Sequence, residues 1–138
     1  MENHEIIVRE KMYANDAFSK WLGIEVIDVK PAYCKLSMKV RKEMLNGFGI
    51  AHGGITYSLA DSALAFASNS GNVQSVSIET SISHTKRVSE GDVLIAEAKE
   101  LVPGNKTGIY DIVVKNQQNE IVALFKGTVY RTAKKWIE

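Results

Sequence analysis

Residues 55–70, ITYSLADSALAFASNS, decide how the rest of this 138-residue chain is read. Ile55, Leu59, Ala63 and Phe66 recur at helical spacing, and the interleaved alanines favour a helix over a strand. Asn69, Gly71 and Asn72 supply the residues that close such a helix. It is the one long, well-buried helix the sequence predicts. Downstream of it lie four strand-like runs, VSIETSISHTKR, VLIAEAKELV, TGIYDIVVK and EIVALFKGTVYRT. Turns separate them at Glu90-Gly91-Asp92, Pro103-Gly104-Asn105 and Asn116 to Asn119, the last two short enough for antiparallel hairpins.

Upstream, the loop RKEMLNGFGIAHGG (41–54) breaks the pattern with four glycines. Before it, IEVIDV and YCKLSMKV flank the Lys30-Pro31-Ala32 turn as a first hairpin. The opening segment spaces Ile6, Ile7, Met12, Tyr13, Phe18, Trp21 and Leu22 like an amphipathic helix. Asn15 or Asp16 is placed to cap a second short helical piece, and Gly23 to stop it. The sum is an α+β chain: an N-terminal helical segment, one long helix and an antiparallel sheet of about six strands. A curved sheet around one central helix satisfies these elements, and other α+β arrangements also fit the periodicity. With no repeat, low-complexity tract or linker, residues 1–138 read as a single domain.

Composition narrows the function. Seventeen Lys and Arg against sixteen Asp and Glu leave a net charge of +1, too little for a broad field that holds nucleic acid or membrane. No apolar run approaches the ~20 residues needed to cross a bilayer, and the charged start MENHEIIVREKM is no export signal. The lone cysteine, Cys34, reads as structural and fits a reducing cytoplasm. Three histidines and one cysteine without ligand spacing suggest no metal site. His84 alternates onto the face of Ile78 and Ile82 and is expected to be a partly buried core histidine.

Chemistry concentrates at the head of the helix. Asp61 follows Gly54 by seven residues, about two turns, and shares a face with Tyr57, Leu64 and Ala65. A carboxylate on that apolar face loses solvation, which raises its pKa and suits it to be a nucleophile or general base. The free N–H groups of the first turn, behind Ala51-His52-Gly53-Gly54, form a site for developing negative charge. Hydrolysis of an ester or thioester needs both devices. Singly, each feature also has a plain structural explanation in a turn, a loop or a solvated helix face.

Together, Asn46-Gly47-Phe48-Gly49-Ile50-Ala51-His52-Gly53-Gly54 and Leu59-Ala60-Asp61 resemble the N-x-x-G-x-x-H-G-G and L-A-D signature of hotdog-fold thioesterases. The branch it resembles is the PaaI-like, phenylacetate-degradation type of the 4-hydroxybenzoyl-CoA thioesterase superfamily. The likeness runs from about Trp21 to Tyr130. It implies a hotdog fold and hydrolysis of an aryl-acetyl or medium-chain acyl-CoA, with no cofactor because coenzyme A is part of the substrate. By similarity, Asp61 attacks the thioester or activates water, and the Gly53 N–H polarises the carbonyl. Gly54 shares the turn, while Asn46 and His52 border the thioester. Phe48, Tyr57 and Leu64 would line the acyl pocket. Lys86 and Arg87 are the candidates for the CoA phosphates, although Arg87 stands where the family tends to have proline. The family builds its site between subunits, which implies at least a homodimer, and often a homotetramer. Two other readings are an acyl-thioester dehydratase or hydratase using His52 and Asp61, and a non-enzymatic acyl-CoA sensor. The first places its acid on a different pattern; the second has no need of Asp61.

Overall fold

The computed structural model describes residues 1–138. Two short strands open the sheet: β1 (Glu25–Lys30) and β2 (Tyr33–Lys39) form the expected hairpin. Its turn holds Ala32 at φ 59°, a left-handed conformation that costs energy for a residue with a Cβ. The Ala32 N–H donates to Ser70 Oγ at 2.9 Å, tying the turn to the end of the long helix.

That helix, which we call α3 (Gly53–Asn69), links β2 to the remaining strands. These are β3 (Ser75–His84), β4 (Val93–Val102), β5 (Thr107–Lys115) and β6 (Ile121–Arg131), joined with β1 and β2 in one antiparallel sheet of order β1-β2-β4-β5-β6-β3. The helix packs against β2, β4, β5, β6 and β3, so the sheet curves around it. Leu59, Ala63 and Phe66 from the helix, Leu36 and Met38 from β2, and Ile112 and Phe125 from the sheet centre belong to one buried apolar cluster. At about 25 cal/mol per Å2 of buried apolar surface, each large side chain there contributes roughly 1.5–3 kcal/mol. Leu64 shows how tightly helix and sheet meet. A Cβ at Gly127 of β6 would lie 2.4 Å from Leu64 Cδ2, so a side chain there would force Leu64 to move.

The N-terminal segment departs from the expected continuous α-helix. A single turn, α1 (Asn3–Glu5), widens into a π-helical stretch over Ile6–Met12 and tightens into a 3-10 turn at Tyr13–Asn15. Ile7 and Val8 of this stretch are both fully buried. Asp16 caps α2 (Ala17–Trp21) by accepting from the Ser19 N–H at 2.9 Å, and Gly23 ends it at φ 75°.

Strand β3 lies at a sheet edge, paired with β6 on one side only. A bulge between Ser77 and Glu79 shifts its register. Ser77 pairs with Val129, and after the bulge Thr80, Ile82 and His84 pair with Gly127, Phe125 and Ala123. Directly paired residues share a face, so Ser77, Thr80, Ile82 and His84 all point to the helix side.

Candidate active site

The first turn of α3 is capped by His52, whose extended backbone lets Nδ1 accept from the Gly54 N–H at 3.1 Å. The His52 carbonyl accepts from the Ile55 N–H at 2.9 Å. The Gly53 N–H, at the first helical position, has no partner in the protein. It is left with the positive end of the helix dipole behind it, the arrangement that stabilises an oxyanion.

Asn46 organises the loop in front of this donor. Its Oδ1 accepts from the Phe48 N–H at 2.9 Å and the Ile50 N–H at 3.4 Å, which leaves the Nδ2 end of the amide for other work. The Ala51 N–H donates to the Val88 carbonyl at 2.8 Å and pins the loop to the segment after β3. A cavity of about 460 Å3 results, lined by Asn46, Gly53, Thr56, His84, Lys86 and Arg87 among others. Lys86 pairs with Glu120 at 3.0 Å, and that carboxylate also accepts from Asn116 Nδ2 at 3.0 Å. Those contacts hold Glu120 below the usual carboxylate range. Arg87 makes no ion pair and is exposed, so its guanidinium is the free cation of this cavity.

Asp61 is elsewhere. Eight residues beyond Gly53, it stands about 12 Å along the helix axis. It borders a separate cavity of about 280 Å3 with Leu64, Ala65, Ser68, Ser77 and Val129. Its carboxylate is half-buried, pairs with no cation and accepts no hydrogen bond within the chain. Burial alone pushes its pKa up. An unpartnered carboxylate on an apolar wall gains nothing for the fold and is available to attack or to take a proton.

The structure therefore distributes the residues that the sequence grouped. Asn46, Gly53, Lys86 and Arg87 share one cavity; Asp61 and Leu64 share another. His52 and Gly54 face a third, of about 350 Å3, beside Phe18 and Trp21. Phe48 is 90% exposed and lines no cavity with Tyr57 or Leu64, because the loop carries it outward. Tyr57 packs edge-on against Phe125 and shares a 2.5 Å hydrogen bond with Thr80 Oγ1, so it buttresses β3.

His84 corrects an expectation. It is on the helix side of β3, as alternation requires, yet it is exposed and outside the core. The strand's last residue lies level with the start of α3, and the imidazole meets Gly53, where a Cβ would be 3.2 Å from Nε2. Period-two alternation gives a face but not how far along the helix that face reaches. Ser77 and Thr56, which line the Asp61 and Gly53 cavities, were hidden by the same lack of depth information.

Comparison with known proteins fits this geometry. Residues 48–123 match the family model described as the thioesterase superfamily. A protein of Archaeoglobus fulgidus is 48% identical over 90% of this chain and 80% of its own length. Acyl-coenzyme A thioesterase PaaI of Escherichia coli K12 is 42% identical, over 87% of this chain and 86% of that protein. A solved structure of E. coli PaaI, from the phenylacetic acid degradation operon, superposes with a TM-score of 0.89 at 40% identity, covering 91% of both chains. A hypothetical thioesterase protein of Streptococcus pneumoniae TIGR4, solved with coenzyme A, superposes at 0.85 with 26% identity over 91% of this chain and 98% of that one. The six-stranded sheet wrapped on α3 is accordingly the hotdog fold, and the chain belongs to the thioesterase superfamily.

Proposed function

We propose that residues 1–138 form one domain that hydrolyses an acyl-CoA thioester to a free acid and CoA, with Asp61 as nucleophile or general base. The observation that carries this is the unpartnered, desolvated Asp61 carboxylate in a family of thioester hydrolases. The carboxylate either attacks the carbonyl carbon or takes a proton from water that does; the C–S bond then breaks and CoA leaves as thiolate, and on the first route water cleaves the resulting Asp61 anhydride to release the acid and restore the carboxylate. The Gly53 N–H receives the charge that builds on the carbonyl oxygen. No cofactor beyond the substrate's own CoA is needed. Arg87, with Lys86 beside it, is the cation set for the CoA phosphates. The coenzyme A bound to the S. pneumoniae relative supports that ligand class, and the operon of E. coli PaaI supports an aryl-acetyl group, a medium-chain acyl group being the other choice.

A homodimer completes the site in this reading. The outer edge of β3 is unpaired, and the Asp61 cavity adjoins its start while the Gly53 cavity adjoins its end. Antiparallel pairing with β3 of a second copy, centred on the middle of the strand, sets Ser75 of one chain across from His84 of the other. Asp61 of one copy then faces Gly53 of its partner. Two such dimers make the homotetramer. No helix of the chain is long and apolar enough to cross a membrane, and we place the enzyme in the cytoplasm. There Cys34, buried and with its pKa pushed up to about 12, stays a neutral thiol.

The test is CoA release from phenylacetyl-, hydroxyphenylacetyl-, benzoyl- and straight-chain acyl-CoAs by wild type and Asp61→Asn. Turnover by wild type that drops about 10³-fold or more in Asp61→Asn, with binding retained, is the expected result. No release from any of them by wild type, or equal rates, defeats the assignment.

A further inference from the structure

His84 is the one group in the Gly53 cavity that neither the fold nor the thioesterase reading accounts for. Neither ring nitrogen bonds to the protein, and the side chain is exposed to the cavity rather than packed in the core. The imidazole is nonetheless aimed. Of its atoms, Nε2 is nearest to the position a Gly53 Cβ would take, at 3.2 Å, with Cε1 at 3.6 Å and Cδ2 at 4.0 Å. The Cα–Cβ direction in a helix tilts toward the helix N-terminus, the same end to which the unpartnered Gly53 N–H points. Bond geometry then limits the distance between the two nitrogens. The Gly53 nitrogen is about 2.5 Å from that Cβ position, so it lies no more than roughly 5.7 Å from His84 Nε2. Two N–H donors on one oxygen, each about 2.9 Å away, stand no more than roughly 5.8 Å apart. A single carbonyl oxygen can reach both.

We infer that His84 Nε2–H is the second donor of the oxyanion site, binding the thioester carbonyl oxygen together with the Gly53 N–H. This rests on the thioesterase reading and adds a catalytic residue to it. The same approach leaves little room at residue 53, where a Cβ would press on the imidazole unless the ring moved by a few tenths of an ångström.

The experiment compares wild type, His84→Phe and His84→Gln with phenylacetyl-CoA and benzoyl-CoA. His84→Phe keeps a flat ring without the donor and should lower kcat about 10²-fold with KM and melting temperature little changed, as for the loss of one oxyanion donor. His84→Gln, which restores an N–H, should recover a substantial part of that loss. A direct readout uses carbonyl-13C phenylacetyl-CoA bound to Asp61→Asn. The carbonyl resonance should be shifted downfield from the free thioester, and the shift should shrink when His84→Phe is added. If wild type turns over these substrates and His84→Phe keeps its kcat, or its addition leaves the bound carbonyl resonance where it was, the inference fails while the thioesterase reading stands. If wild type releases no CoA from these or from the straight-chain acyl-CoAs, both fall.

Discussion

The two ends of α3 are built on opposite rules. At the C-terminal end the buried polar side chains all have partners. Asn69, 2% exposed, donates through Nδ2 to the Ala65 carbonyl at 2.8 Å and the Ser75 carbonyl at 3.1 Å. Its Oδ1 accepts from the Ser75 N–H at 2.8 Å and from Trp136 Nε1 at 3.0 Å. Ser70 Oγ donates to the Ala67 carbonyl at 2.8 Å while holding the Ala32 turn. At the N-terminal end and the turns just after it, the Gly53 N–H and the Asp61 carboxylate have no partners. Gly53 is exposed and Asp61 half-buried, so both keep access to water, whereas the buried Asn69 and Ser70 must find protein partners at about 1–3 kcal/mol for each one missed. The helix thus ties its C-terminal end to the fold and leaves the groups proposed for chemistry without protein partners.

Substitutions can break that contrast. The sharpest concerns the Gly53 N–H: proline suits the first position of a helix, so Gly53→Pro removes this donor and little else of the backbone. Gly53→Ala is its control, because both variants add a Cβ facing His84 but alanine keeps the N–H. We expect kcat for Gly53→Pro to be about 10²-fold below that of Gly53→Ala in a CoA-release assay. Equal rates would show the open donor to be idle. At the closed end, Asn69→Ala should cost roughly 2–3 kcal/mol, read by denaturant unfolding, since the Ser75 and Trp136 N–H groups lose their acceptor. The kcat of the folded fraction should be unchanged.

Two smaller effects sharpen the comparison within the open end. Arg87→Ala should raise KM for an acyl-CoA roughly three- to ten-fold with kcat unchanged, and the gap should narrow in high salt. Lys86→Ala should do less, because its ammonium is already shared with Glu120. The smallest effect is on stability and follows from the raised pKa of Asp61. A carboxyl whose folded-state pKa is raised gives its full stabilisation below its unfolded value and loses it as pH climbs through the folded one. Asp61→Asn escapes that loss. Its melting temperature should exceed that of wild type at pH 7, and the difference should close as the pH falls toward the ordinary aspartate range near ~3.9.

Much of the architecture was legible because it rests on local signals. Alternation, Gly and Pro turns and the alanine-rich helix give all six strands and α3, and the Asp16 cap and Gly23 stop also stand where the residue types put them. Strand order was not legible. Nothing local in VSIETSISHT says that this strand pairs with β6 and leaves its other edge bare. The π-helical winding at Ile6–Met12 was not legible either, because a period of 3.6 does not encode it. At the site, the sequence singled out Asn46, Gly53 and Asp61, and the resemblance implied that the loop from Asn46 to Gly54 and the helix bearing Asp61 come from different chains. Eight residues of helix separate Gly53 from Asp61, and one chain has no bend that closes the gap. His84 was misjudged for a related reason: the alternation is right, but its depth along the strand is a property of the assembled sheet.

The clasp at the end of α3 has a consequence for how the chain is made. The groups that close that end come from Ser75 and from Trp136, and β3 finds its only neighbour in β6. A ribosome releases the helix some fifty residues before it releases β6, a delay of about 3–10 s at ordinary rates of synthesis. That interval begins with a finished apolar helix and four of the six strands still missing. Its solubility in the cell then depends on what covers Leu59, Ala63 and Phe66 until the last strand emerges.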